Sequence, residues 1–196
     1  MGPLGSGLTG LGNVLTAGEP PAGGAGVPLE TVIAINNSGN VQNLQLTPLD
    51  GNTDGNWKIR GSILVRSGLG TVNLYLRPIS PSNDTSLHTL SEFNNGSGVY
   101  VANTSASPTP GWFIGQSGGG DEIIFWADIS TVSGRTRTIK AFSTSTSSSA
   151  TVITLKTQGW CTDLVTNFTQ LTLHADVAAS IQDGTYYTLT KERETL

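Results

Sequence analysis

Bulky apolar residues alternate with polar or small residues along much of this chain after Pro28. The clearest case lies between Trp57 and Val65, where the large side chains include Trp57, Ile59, Ile63 and Val65. A period of two is typical of a β-strand that buries one face and exposes the other. The pattern therefore indicates short strands, each with one face in a core.

Segments of this kind recur at the spacing expected of a β-sandwich or β-barrel. The predicted strands are 30–35, 43–49, 57–66, 71–77, 87–93, 98–102, 111–114, 122–129, 135–143, 150–156, 168–174 and 185–190. Many of the connections are rich in Gly, Asn, Asp, Ser and Pro, which favour turns. The best helix candidate is Ala175–Ile181, which is short enough to be a turn instead. The chain is predicted to be all-β, with a jelly-roll-like antiparallel β-sandwich as its fold.

Residues 1–28 differ from the rest of the chain, because they are rich in Gly and Pro and their apolar residues show no period. Composition alone favours a disordered tail, since such a segment cannot bury a face of its own. We interpret it as an extended N-terminal arm that lies across its own domain or an adjacent subunit, and residues 29–196 as the β-sandwich domain. The expected interaction residues of the arm are Leu4, Leu8, Leu11, Val14 and Leu15.

Charge and cysteine content limit the possible partners. Charged residues make up 12% of the chain and the net charge is -4. A nucleic-acid-binding protein needs basic side chains to replace the counterions of phosphate, so we expect none of that activity. The single cysteine, Cys161, permits no intrachain disulfide. Neither a signal peptide nor an apolar membrane span is evident, so we expect folding in a cytoplasm and no membrane partner.

The turn before Trp57 matches half of a calcium-binding pattern. Asp50, Asn52 and Asp54 place oxygen ligands at alternate positions, and Gly55 follows them. The pattern then requires a bidentate carboxylate where this chain has Gly61. We therefore expect a tight turn stabilised by these side chains and no cofactor, with bound calcium as the alternative.

A catalytic set is not evident in the sequence. His88 and His174 fall at polar positions of predicted strands. Cys161 directly follows Trp160, and we expect it to be a small buried hydrophobic residue and not a nucleophile. Carboxylates at the ends of the strand 122–129 show no spacing that indicates glycoside hydrolysis. We expect a protein without enzymatic activity.

Tryptophan side chains are the candidates for carbohydrate contact, because jelly-rolls include lectins and indole faces can stack on sugar rings. Trp126 lies in an apolar run and is predicted to be in the core. Trp112, in the sequence Gly-Trp-Phe, is the predicted exposed exception.

One block of the sequence resembles small all-β structural proteins of tailed-bacteriophage virions. It consists of LDGNTDGNWKIRGSI at residues 49–63 and LYLRP at residues 74–78. The resemblance extends over residues 43–140 and does not include the arm. It implies a head decoration (cement) protein or a tail protein, located on the surface of the phage particle.

The resemblance implies two functions. The first is a capsid decoration protein that stabilises the head, with the major capsid protein and copies of itself, as a homotrimer or homodimer, for partners. The arm would bridge subunits, and hydroxyl-rich strands such as 144–149 would suit polar contacts between them. The alternative is a tail or baseplate adhesin domain that binds host surface carbohydrate through Trp112.

Overall fold

A computed structural model describes residues 15–16, 30–78, 87–94, 99–103, 111–146, 152–163 and 166–192 of the chain. Within these ranges the structure is almost entirely β. Its strands are β1 Leu15–Thr16, β2 Glu30–Ile35, β3 Asn43–Leu46, β4 Asn56–Leu64, β5 Val72–Arg77, β6 Leu87–Asn94, β7 Val99–Asn103, β8 Trp112–Ser117, β9 Glu122–Ser130, β10 Arg137–Thr146, β11 Val152–Cys161, β12 Leu171–Ala175 and β13 Tyr186–Glu192. One short helix, α1, spans Gly51–Asp54.

The strands form two antiparallel sheets with jelly-roll topology. One sheet has nine strands in the order β1-β2-β13-β4-β9-β10-β11-β6-β7, and the other has four in the order β3-β12-β5-β8. In chain order, the strands change sheet at β2–β3, β3–β4, β4–β5, β5–β6, β7–β8, β8–β9, β11–β12 and β12–β13. The orders β2-β13-β4-β9 and β3-β12-β5-β8 are those of two interlocked Greek keys, which define the jelly-roll. The predicted fold class is confirmed.

Two hairpins are inserted into this framework. The pairs β6–β7 and β10–β11 both join the larger sheet on the far side of β9. They make that sheet much wider than the four-stranded sheet packed against it. The larger sheet therefore has an inner face, which meets the smaller sheet, and an outer face, which is turned away from it.

The core lies between the two inner faces. Trp57, Phe125 and Tyr187 of the larger sheet are fully buried against residues such as Leu44 and Leu171 of the smaller one. The Tyr187 hydroxyl donates to the Leu171 carbonyl oxygen at 2.8 Å, which joins the two sheets by a buried hydrogen bond. Burial raises the pKa of Tyr187, so the phenol keeps its proton as a donor.

Buried hydroxyl groups bind the edge of the smaller sheet. Strand β8 is an edge strand, and edge strands carry backbone groups without a neighbouring strand. Thr157 on β11 donates to the Phe113 carbonyl oxygen at 2.8 Å, and Ser145 on β10 donates to the Gln116 carbonyl oxygen at 3.2 Å. Both side chains face the core. The Ser145 hydroxyl therefore makes a contact inside the domain, whereas the sequence analysis expected the strand 144–149 to contact another subunit.

The structure decides two points that the sequence left open: the helix candidate and the position of residues 15–16. Residues 176–179 form bends and turns, so no helix covers Ala175–Ile181; Ala179 has a φ of 52°, which interrupts a right-handed helix. The helix that does form, α1, lies in the loop singled out for calcium. Within the arm, Leu15 and Thr16 pair with Ile33 and Val32 of β2, so this part lies across its own domain.

Candidate functional site

Exposed apolar side chains gather on the outer face of the nine-stranded sheet. Among the residues that the structure describes, the large hydrophobic side chains that stay exposed are Leu90, Ile124, Trp126, Val152 and Tyr186. All of them occupy outward positions of strands in this one sheet, alternating with inward residues. Exposed apolar side chains collected on one face mark a candidate interaction surface.

Strand β9 explains how Trp126 reaches this face. Ile123, Phe125 and Ala127 are each 1% exposed, whereas Trp126 between them is 47% exposed. The run that looked apolar throughout is in fact an alternating strand, so the prediction that Trp126 lies in the core is wrong. Glu122 and Asp128 lie an even number of residues from Trp126 and therefore point to the same face of the sheet. Charged residues at these positions indicate that this face is exposed, and the sequence analysis missed that signal.

An open depression of about 590 Å³ lies between two of these aromatic side chains. We call it the outer-face groove, with Tyr186 on β13 at one side, Trp126 on β9 at the other, and Arg60, Ser62, Ile124 and Glu122 between or beside them. Strand β4 runs between β13 and β9, so the backbones of Tyr186 and Trp126 are two strand spacings apart across the sheet, about 10 Å, and one outward row apart along it.

The Trp126 ring is held by a neighbouring ring. Phe142 on β10 is its cross-strand partner, and the two rings stack at a centroid distance of 4.4 Å and an angle of 28°. Such pairs contribute about 0.5–1.5 kcal/mol beyond the area that they bury. The stack orients Trp126 while leaving nearly half of its surface open to solvent.

Polar groups line the groove between the aromatic residues. Arg60 pairs across the strands with Thr188 on one side and Trp126 on the other, while Ser62 pairs with Tyr186 and Ile124. The Ser62 hydroxyl donates to the Glu122 carboxylate at 2.5 Å. The groove thus offers guanidinium donors and carboxylate acceptors within reach of two aromatic faces.

Gly61 allows the sheet to pack closely beneath the groove. A Cβ atom at this position would lie 2.6 Å from the Phe125 ring and 2.7 Å from the Tyr187 Cβ atom. The missing side chain lets the Phe125 ring and the Cβ atom of Tyr187 pack directly against β4. The floor is therefore a rigid part of the core and not a loop.

Trp112 does not contribute to any surface. Its side chain is fully buried, its ring meets Phe168 edge-on at 6.2 Å, and its indole N–H donates to the Trp160 carbonyl oxygen at 3.3 Å. The prediction that Trp112 is exposed is wrong. Gly159 opposite leaves room for the indole, since a Cβ there would lie 2.6 Å from Trp112 Cδ1.

The oxygen atoms of Asp50, Asn52 and Asp54 each bind a different group of the protein. Asp50 caps α1 by accepting from the Thr53 backbone N–H at 3.4 Å, and it also accepts from the Thr53 hydroxyl at 2.7 Å, the bond that mainly lowers its pKa. Asn52 Oδ1 accepts from Arg137 at 3.0 Å, and Asp54 accepts from the Trp57 indole at 3.0 Å. These contacts fit the interpretation as a turn stabilised by its own side chains.

The two histidines weighed for metal binding or catalysis lie in different sheets. His88 is on β6 of the larger sheet and stacks on Trp160, whereas His174 is on β12 of the smaller sheet and hydrogen-bonds Asn43 at 2.7 Å. Cys161 is fully buried, as expected. Within the described ranges, no three His, Cys, Asp or Glu side chains are grouped as metal ligands would be. In the same ranges, no helix is long and apolar enough to cross a membrane.

The arm residues are placed only in part. Leu15 belongs to β1. Leu4, Leu8, Leu11 and Val14 lie outside the described residues.

Comparison with known proteins identifies no family. No family model matches the chain, and no curated protein matches it. Among solved structures, it is similar to a protein of unknown function from Shewanella oneidensis MR-1, at 8% identity and a TM-score of 0.22, over 95% of this chain and 78% of the other. A similarity at that level carries no argument about fold or function.

Proposed function

We propose that this chain is a non-enzymatic structural protein of a bacteriophage particle, and that its outer-face groove binds carbohydrate of the host surface. The observation that supports the proposal is the placement of Trp126 and Tyr186, each nearly half exposed, on either side of Arg60 and Ser62. The virion assignment rests on the resemblance of residues 49–63 and 74–78 to phage structural proteins.

The chemistry of the groove suits a sugar. A pyranose ring has an apolar C–H face, which stacks on an aromatic ring, and a rim of hydroxyls that both donate and accept hydrogen bonds. Trp126 and Tyr186 supply the aromatic faces, Arg60 supplies donors and Glu122 supplies acceptors. Because Phe142 already orients the Trp126 ring, little side-chain entropy is lost on binding.

A second copy of the chain fits this surface less well. The centre of a protein–protein interface is depleted in Lys, Glu and Asp. Here Glu122 lies inside the patch, and Lys58 and Asp128 occupy the next outward positions beyond Arg60 and Trp126. Charged groups interspersed with rings favour a small polar ligand.

The test is binding to an array of bacterial surface polysaccharides and defined neutral glycans. The unmodified protein is expected to bind a subset of the array, and Trp126→Ala is expected to lose that binding. Val152→Ala is the matched control, because Val152 is also exposed on the outer face but lies outside the groove. Equal binding by all the proteins, or an array without signal, would contradict the proposal.

Capsid decoration is the second candidate, and the pairing of β1 with β2 favours it. Leu15 and Thr16 of the arm extend the edge of the larger sheet by main-chain hydrogen bonds. Strand addition at a sheet edge is also a common way for one protein to bind another. An arm of this kind would clamp the major capsid protein or another copy of the chain, in a homotrimer or homodimer.

Immunogold labelling of phage particles with antibody against residues 29–196 separates the two candidates. Gold over the head, lost on deletion of residues 1–28, supports decoration. Gold confined to the tail tip supports the adhesin.

A further inference from the structure

A second depression continues the outer-face groove along the same strands. It has a volume of about 260 Å³ and is lined by Lys58 of β4, Asp128 of β9, Lys140 of β10 and Glu192 of β13, among others. Lys58 pairs with Asp128 across the sheet, and Arg60 pairs with Trp126 in the next outward row. The two depressions are therefore neighbours, with Arg60 and Trp126 at their boundary.

Together the depressions form one trough along β4 and β9. From Ser62 at one end to Asn56 at the other, the outward residues of β4 span six residues, about 20 Å at the rise of an antiparallel strand. This length exceeds what a single sugar unit occupies. An extended chain of several units would lie along the strands and contact both depressions.

The charges of the trough are balanced. The basic side chains that line it are Lys58, Arg60 and Lys140, and the acidic ones are Glu122, Asp128 and Glu192. Lys58 and Glu192 form an ion pair at 2.9 Å, and their hydrogen bond raises the pKa of Lys58. Binding of a polyanion requires an excess of positive charge, which this surface lacks.

The position of the trough also disfavours an extended peptide. Peptides that add to β-sheets do so at an edge, where backbone N–H and C=O groups are available. The trough lies on the face of β13, β4, β9 and β10, all of which have neighbours on both sides. The available groups are side-chain donors, acceptors and rings, as saccharide recognition requires.

We infer that the site takes an uncharged oligosaccharide of several units, which contacts Tyr186 and Trp126 in the outer-face groove and Asp128 and Lys140 in the second depression. This inference rests on the proposed carbohydrate binding. It adds the class of saccharide and the second subsite.

The experiment measures the affinity of oligosaccharides of increasing length, prepared by partial hydrolysis of the neutral polysaccharide that binds most strongly on the array. For the unmodified protein, affinity is expected to rise with length and then level off. Asp128→Ala is expected to weaken the longest fragment about tenfold, the effect of losing a hydrogen bond to a charged group, and to leave the disaccharide unchanged. Lys140→Ala should behave in the same way.

Glu92→Ala is the matched control, because Glu92 is an exposed carboxylate on the outer face that pairs with Lys156 outside the trough. Raising the salt concentration should change the affinity less than about twofold, since the ligand is uncharged. Affinity independent of length, unaltered binding by Asp128→Ala, or a steep loss with salt would overturn the inference while carbohydrate binding stands. If no saccharide binds the unmodified protein, the proposed function and this inference both fail.

Discussion

The fully buried guanidinium group of Arg137 holds together loops at one end of the sandwich. It donates to the carbonyl oxygens of Thr131 and Thr166 and to Asn52 Oδ1, and it lies 4.5 Å from the centroid of the Phe168 ring. Buried charge is stable only where such partners surround it. The turn that resembled a calcium site is thus fixed by a cation of the protein itself.

Replacement of Arg137 is expected to be strongly destabilising. Arg137→Ala removes a fully buried side chain and leaves the buried Thr131 carbonyl oxygen without this donor, so we expect the free energy of unfolding to fall by about 3 kcal/mol or more. Arg137→Lys should recover only part of the loss, because an ammonium group lacks the fork of the guanidinium. Urea denaturation measures both, with the exposed Lys140→Ala as control. A loss below about 1 kcal/mol for Arg137→Ala would contradict this role.

His174 makes stability depend on pH. Burial, and next the charge of Arg77, lower the pKa of His174 to about 4, while Asp176 opposes this shift. Above the ordinary pKa of about 6.5 the imidazole is neutral whether the chain is folded or not. Below this pH, His174 binds a proton in the unfolded chain but stays neutral in the folded protein. The free energy of unfolding therefore decreases as the pH falls from about 6.5 to about 4.

The measurement is the unfolding free energy of the unmodified protein and of His174→Gln across this range. The variant is expected to show a shallower loss on acidification than the unmodified protein. Equal slopes for the two proteins would contradict the assignment to His174.

At the scale of elements, the hydroxyl groups on β10 and β11 replace a neighbouring strand for β8. Thr157→Val keeps the shape of the side chain but leaves the Phe113 carbonyl oxygen without this donor. We expect a loss of about 1–3 kcal/mol of unfolding free energy, the cost of a buried unsatisfied polar group. Thr154→Val on the outer face of the same strand is the matched control and should change stability by less than about 0.5 kcal/mol. Similar effects for both variants would show that the hydroxyl at residue 157 does not stabilise the edge.

Alternation in the sequence located the strands well, because a half-buried strand repeats every two residues whatever its neighbours are. It predicted 30–35 with the observed bounds and most of the others to within about three residues, but the predicted strand 150–156 ends five residues before β11 does, and β1 was not predicted. It did not show which face is covered, since that depends on where a distant strand packs. Trp112 and Trp126 were therefore assigned to the wrong environments. The buried hydroxyl of Ser145 was assigned to a contact between subunits for the same reason.

At the scale of the whole molecule, one of the inserted hairpins contributes a residue that supports the candidate site. The pair β10–β11 widens the larger sheet beyond β9 and brings Phe142 against Trp126. The jelly-roll strands β13, β4 and β9 supply the remaining groups of the groove. Because all four strands have neighbours on both sides, we expect the groove to keep its shape when a ligand binds.

The most direct test of carbohydrate binding at this groove follows the tryptophan indole N–H signals by NMR during titration. The probe is the neutral glycan fragment selected on the array. The Trp126 signal should shift, whereas the buried Trp57 indole, hydrogen-bonded to Asp54, should remain unchanged and serves as an internal control. A bound glycan that leaves the Trp126 signal unshifted would contradict the account.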